Sequence, residues 1–150
     1  LAADWEDREV DLGHIWQAFT QLQQQRAFVL VESLGGLGSP ITWETTVADW
    51  AQSWRLPTVL VVPVRLGGIS QAVANVALAR QHQLDLRGIV LNCAVPRSLA
   101  EIAKWAPADL IQGLTQVPVL GCLPYLDDLT DLPKLAQAAS QLILAPLLPL

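Results

Sequence analysis

Methionine is absent from the 150 residues, and only two cysteines occur, Cys93 and Cys122. They lie far apart and fit no Cys-x-x-Cys pattern, so they read as the reduced thiols of an intracellular, cytoplasmic protein. Charge is sparse: 15% of residues are charged, with a net charge of −5. There is no basic run or basic stripe, which argues against a nucleic-acid partner. No apolar run reaches the roughly 20 residues a membrane-spanning helix needs. The tail "LILAPLLPL" is greasy, but Pro146 and Pro149 interrupt it. The first residues are acidic where a signal peptide would be basic and then apolar. The chain begins at Leu1, in what reads as the approach to a helix.

What is present is apolar material. Residues of hydrophobic type make up 52% of the chain, enough for the core of one domain spanning 1–150. Four short runs, "AFVLVES", "TVLVVPV", "GIVLNC" and "PVLGCLP", recur along it. They are rich in Val, Ile and Leu with little alternation, as expected of strands buried on both faces of a parallel sheet. Helical patterns surround them. "DLGHIWQAFTQLQQQ" sets Leu12, Ile15, Trp16, Phe19 and Leu22 on one stripe. "WETTVADWAQSW", "GGISQAVANVALARQHQ", "SLAEIAKWA", "PADLIQGLT" and "DLPKLAQAASQLIL" follow, the last with Asp131 as N-cap and Pro133 in its first turn. The order predicts an α/β fold, an open, mostly parallel sheet with helices on both faces.

Ligands of such sheets bind outside the carboxyl ends of the strands. The residues expected there are Glu32, Ser33, Gly35 and Gly36 after the first run, and Arg65, Gly67 and Gly68 after the second. Asn92 and Cys93 end the third; Gly121, Cys122, Pro124 and Asp128 end the fourth. Each has an ordinary structural reading. A strand-end glutamate can simply be solvated, glycines can only turn the chain, Asn92 can close a loop, and the cysteines can be packing residues. His14 and His82 fall on helices without neighbouring ligands. The functional reading joins these positions. A carboxylate beside glycines whose N–H groups face outward suits Mg²⁺ with phosphate oxygens. An asparagine offers the donor and acceptor that an adenine edge requires.

The set "VLVESLGG", "ADWAQSWRLPTVLVVPVRLGGIS", "GIVLN" and "PVLGCLPYLDD", in this order, resembles the C-terminal two-thirds of dethiobiotin synthetase. "REVDLGHIWQAF" resembles the segment before that family's acidic strand. The resemblance implies a P-loop NTPase-like fold and an ATP- and Mg²⁺-dependent ligase of biotin biosynthesis. Its reaction converts 7,8-diaminopelargonate and CO₂ to dethiobiotin. An amine forms a carbamate, ATP phosphorylates it, and the second amine displaces phosphate to close the ring. By the same resemblance Glu32 is a Mg²⁺ ligand and Ser33, Leu34 and Gly35 lie against the phosphates. Asn92 reads adenine, with Cys93, Leu123, Pro124 and Asp128 framing the nucleotide. Gly67, Gly68, Ile69 and Ser70 serve the substrate carboxylate across a homodimer interface.

The sequence departs from that family in three places. Ser33-Leu34 stands for the usual Gly-Ala, and Ser70-Gln71 for the usual asparagine and histidine. The phosphate loop G-x-x-x-x-G-K-[ST] is missing: the only lysines, Lys104 and Lys134, follow no glycine and precede no Ser or Thr. The family's catalytic lysine also belongs to that part, so no catalytic residue is assigned. The expectation is the C-terminal portion of a longer enzyme, inactive alone, lacking the P-loop strand and leaving an empty slot between "FVLVES" and "TVLVVP". The alternatives are a non-catalytic nucleotide-binding or dimerisation module of a related P-loop protein, or another relative such as an amide-forming ligase or a partitioning ATPase.

Overall fold

The computed structural model describes residues 2–147. The chain divides into two compact units, residues 1–50 and 51–150.

The first unit opens with a one-turn helix α1 (Ala2–Trp5) and continues into α2 (Leu12–Gln25). Asp11 caps α2: its carboxylate accepts from the His14 N–H at 2.8 Å, satisfying one of the helix's free donors. Of the expected apolar stripe only Phe19 is buried. Its ring lies tilted on Trp16, centroids 5.8 Å apart. A tight turn follows at Gly35, which has φ +59°. Gly36 N–H donates to Ser39 Oγ at 3.0 Å, and Leu37 is buried beneath. Helix α3 (Val47–Trp54) then starts from a reciprocal cap. Thr46 donates through its N–H and hydroxyl to Asp49 Oδ2 at 2.8 and 2.6 Å.

The expected first strand does not form. Residues 28–32 of "AFVLVES" are irregular, with Phe28 53% and Leu30 83% exposed. A strand is not a local structure: its N–H and C=O groups need a neighbouring strand. No described residue pairs with this run. By the resemblance that neighbour carries the phosphate loop, a motif these 150 residues do not contain.

The second unit holds the sheet: β1 (Thr58–Pro63), α4 (Gly68–Gln81), β2 (Leu86–Asn92), α5 (Leu99–Trp105), α6 (Ala108–Thr115), β3 (Val119–Leu123) and α7 (Leu132–Ala139). A short 3-10 turn, Ala145–Leu147, follows. The strands run parallel in the order β1-β2-β3. The central strand is the core: Gly88, Ile89, Val90 and Leu91 are all buried, so both faces are covered, as its unbroken apolar run predicts. β1 differs. Leu60 and Val62 are buried, but Val61 on its other face is 63% exposed. Helix α4 packs on β1 and α6, and α6 packs on β3. Ile111, Thr115, Ala72 and Val76 are buried there, and the Arg80 guanidinium on α4 donates to the Thr115 carbonyl at the end of α6.

The helix ends obey local chemistry. Ser98 and Glu101 form a complete capping box on α5. Asp131 caps α7, with Pro133 in its first turn. Pro107 separates α5 from α6. Among the described residues, no helix is long and apolar enough to cross a membrane.

Candidate functional site

In the second unit the three strands end level with one another. Pro63 pairs with Asn92, and Asn92 pairs with Leu123. The chain leaving each strand stays attached to its neighbour. Val64 N–H donates to the Asn92 carbonyl at 2.9 Å, and Cys93 N–H donates to the Leu123 carbonyl at 3.0 Å. The register therefore brings Asn92, Cys93, Leu123 and Pro124, expected from sequence to share one sheet edge, into a single row.

Asn92 is half-buried. Its backbone carbonyl is used by Val64, while its side-chain amide has no hydrogen bond among the described residues. The amide is thus not spent on closing a loop, which was its ordinary structural reading. Beside it, Cys93 Sγ touches Cys122 Sγ at 3.8 Å. Burial, and then the neighbouring Cys93, push the Cys122 thiol up to about 12, so the Cys122 sulfur rests as a neutral thiol. Pro124 is exposed, and Asp128 lies in an exposed turn beyond it. The Thr130 hydroxyl and N–H donate to Asp128 Oδ1 at 2.7 and 2.8 Å, and these bonds hold its carboxyl below the usual range.

The segment Gly67–Ser70 starts α4 directly after β1. Gly67 is the N-cap in the left-handed region, φ +87°. Gly68 is buried so closely that a Cβ there would lie 2.6 Å from the Pro63 carbonyl oxygen. Ser70 turns its hydroxyl back to the Gly67 carbonyl at 2.8 Å. Ile69 is half-buried and Ser70 exposed. The Gly68 N–H is taken by the Arg65 carbonyl at 2.9 Å, and this end of the helix is the one where the dipole favours an anion.

Glu32, Ser33, Leu34 and Gly35 belong to the first unit and are all exposed. Glu32 sits on the unpaired run described above, not at a strand end. Among the described residues no three His, Cys, Asp or Glu side chains gather where they could hold a metal ion. One or two carboxylates, with the remaining oxygens coming from phosphate and water, are a common arrangement for Mg²⁺, and the exposed Glu32 carboxylate is compatible with it.

The loop after β2 contributes a group that sequence reasoning missed. The Arg97 guanidinium lies over the Trp105 ring, 4.4 Å from its centroid, and pairs with Glu101 Oε1 at 3.3 Å. The visible signal was Ser98-Leu99-Ala100-Glu101, a capping box. It locates the helix start but not the arginine packed on it.

A family model described as an AAA domain matches residues 1–133. Over all 150 residues the chain is 62% identical to the ATP-dependent dethiobiotin synthetase BioD of Gloeothece citriformis, covering 66% of that protein. It is 55% identical over 142 residues to the one of Crocosphaera subtropica, covering 64% of it. To that of Yersinia pestis it is 34% identical over 133 residues, 54% of the relative. The chain thus spans about two thirds or less of the curated relatives it matches. With nearly nine-tenths of its residues inside the matched region and the parallel sheet in place, the chain belongs to the AAA-domain family.

Proposed function

We propose that this chain is the nucleotide- and substrate-facing part of an ATP-dependent dethiobiotin synthetase. The observation that carries the reading is the 62% identity to such an enzyme along the entire chain. The aligned strand ends support it, because Asn92 stands in the middle of that row with an unspent amide.

In this reading Asn92 donates to and accepts from the adenine edge. Cys93, Leu123, Pro124 and Asp128 frame the nucleotide. Ser33, Leu34 and Gly35 lie along the phosphates. Glu32 holds Mg²⁺ together with phosphate oxygens; the ion neutralises charge on the phosphoryl group being transferred. The turn Gly67, Gly68, Ile69 and Ser70 meets the carboxylate of 7,8-diaminopelargonate, with the Gly68 N–H itself held by the Arg65 carbonyl, in a site shared between the subunits of a cytoplasmic homodimer. CO₂ adds to one amine, ATP activates the carbamate, and the second amine closes the cyclic urea. The phosphate-loop lysine that this chemistry needs is not among the 150 residues, so these residues alone are expected to be inactive.

The test is a dethiobiotin assay on the full product of the gene, with ATP, Mg²⁺, bicarbonate and 7,8-diaminopelargonate. Diaminopelargonate-dependent release of ADP together with dethiobiotin supports the proposal. ATP binding with no product points instead to a non-catalytic nucleotide-binding module and overturns it.

A further inference from the structure

Cys93 and Cys122 are far apart in sequence but touch in the fold, with sulfurs 3.8 Å apart. Leu91 pairs with Cys122, so Cys93, two residues further on, shares its side of the sheet. The two cysteines are therefore diagonal neighbours on adjacent parallel strands. Cys93 is buried and Cys122 half-buried, which leaves access from the Cys122 side.

A disulfide suits this arrangement poorly. It needs sulfurs about 2.0 Å apart, and here they stand 3.8 Å apart as two free thiols. An atom seated between the sulfurs requires no such approach. The surroundings then narrow the choice. Among the described residues no third His, Cys, Asp or Glu joins the pair, which excludes the four-ligand tetrahedron of structural zinc. Two sulfurs with one backbone carbonyl nearby, the Leu123 oxygen 3.8 Å from Cys122 Sγ, do not supply the six or more oxygens that hard cations take. Thiolates select soft ions, copper(I) among them.

We propose that Cys93 and Cys122 form a two-thiolate site for a soft monovalent cation of the copper(I) class, tying the end of β2 to β3. On binding, both S–H bonds break and two protons pass to solvent. Two metal–sulfur bonds form and no electron is transferred, leaving a bis-thiolate complex of charge −1. A metal at a coordinating thiol removes the proton outright. The inference does not depend on the catalytic reading.

The experiment is an anaerobic competition of the full protein with a chromophoric copper(I) chelator. The expected result is one copper(I) withdrawn per chain. Both thiols should then be protected from an aromatic disulfide reagent, and X-ray absorption should read two sulfur scatterers. Cys122→Ser, at the more open position, should keep the circular dichroism of the wild type and bind copper(I) at least tenfold more weakly. Cys93→Ser should do the same. If Cys93→Ser does not fold, wild-type protein with both thiols alkylated replaces it. Failure to withdraw copper, equal binding by Cys122→Ser, or nitrogen ligands in the absorption spectrum would overturn the site.

Discussion

Gly68 and Pro63 lock the start of α4 onto the end of β1: a Cβ on Gly68 would stand 2.6 Å from the Pro63 carbonyl oxygen. The atom in the way is backbone, which cannot swing aside. Gly68→Ala must therefore push the helix off the strand, at a cost of roughly 1–3 kcal/mol. Gly67 is the control. A Cβ there meets nothing within 4 Å, so Gly67→Ala carries only the left-handed backbone strain, about 1–2 kcal/mol. Urea unfolding of both variants checks this; a Gly68→Ala protein as stable as wild type contradicts the packing.

Ile89 and Ile111 are fully enclosed, on β2 and α6. Removing either side chain to Ala leaves a cavity that close-packed neighbours fill only in part. Each variant is expected to lose roughly 2–5 kcal/mol. Val61→Thr, on the exposed side of β1, should fall within about 0.5 kcal/mol of wild type. Thermal melts of the three proteins separate these outcomes.

The Ser98–Glu101 cap has an acid limit. Ser98 N–H and hydroxyl each donate to Glu101 Oε2 at 2.8 Å, and these bonds, the backbone one first, hold the Glu101 carboxyl below its ordinary value. A carboxyl depressed in the folded state binds its proton more readily when unfolded. Its contribution is thus full above the ordinary glutamate range and is lost as pH falls through the lower folded value. Asp128, depressed by the Thr130 hydroxyl and N–H, behaves alike. Ser98→Ala should lower the melting temperature at neutral pH and narrow its gap to wild type below the Glu101 transition. A gap independent of pH would remove the carboxylate from the account.

Asn92→Leu tests adenine reading on the proposed function. The loss of one or two net hydrogen bonds, about 1.4 kcal/mol, should raise the ATP KM of the full protein about tenfold. The Mg²⁺ dependence should be unchanged. Loss of purine preference alongside the weaker affinity is the signature; an unaltered KM takes Asn92 out of the site.

Glu32→Gln keeps the size of the side chain but removes its charge. In the full protein the Mg²⁺ concentration for half-maximal activity is expected to rise at least tenfold, with ATP binding in the absence of metal little affected. An unchanged Mg²⁺ curve would end the metal role of Glu32.

Helix ends, and the strands that later found partners, were legible in the residues themselves. Asp11, Ser98 and Asp131 accept from N–H groups within a turn of their own position, so their caps follow from short spacings, and Pro107 divides α5 from α6. The run Gly88–Leu91 is apolar on both faces and could only be a central strand. Tertiary structure alone decided the rest. "FVLVES" carries as strong a strand signal as "TVLVVP", yet only the second is a strand, because β pairing is made between segments and not within one. Register set Pro63, Asn92 and Leu123 in one row and brought the sulfurs of Cys93 and Cys122 into contact. A one-residue slip would turn those side chains to the opposite face, and nothing local to either cysteine encodes that choice.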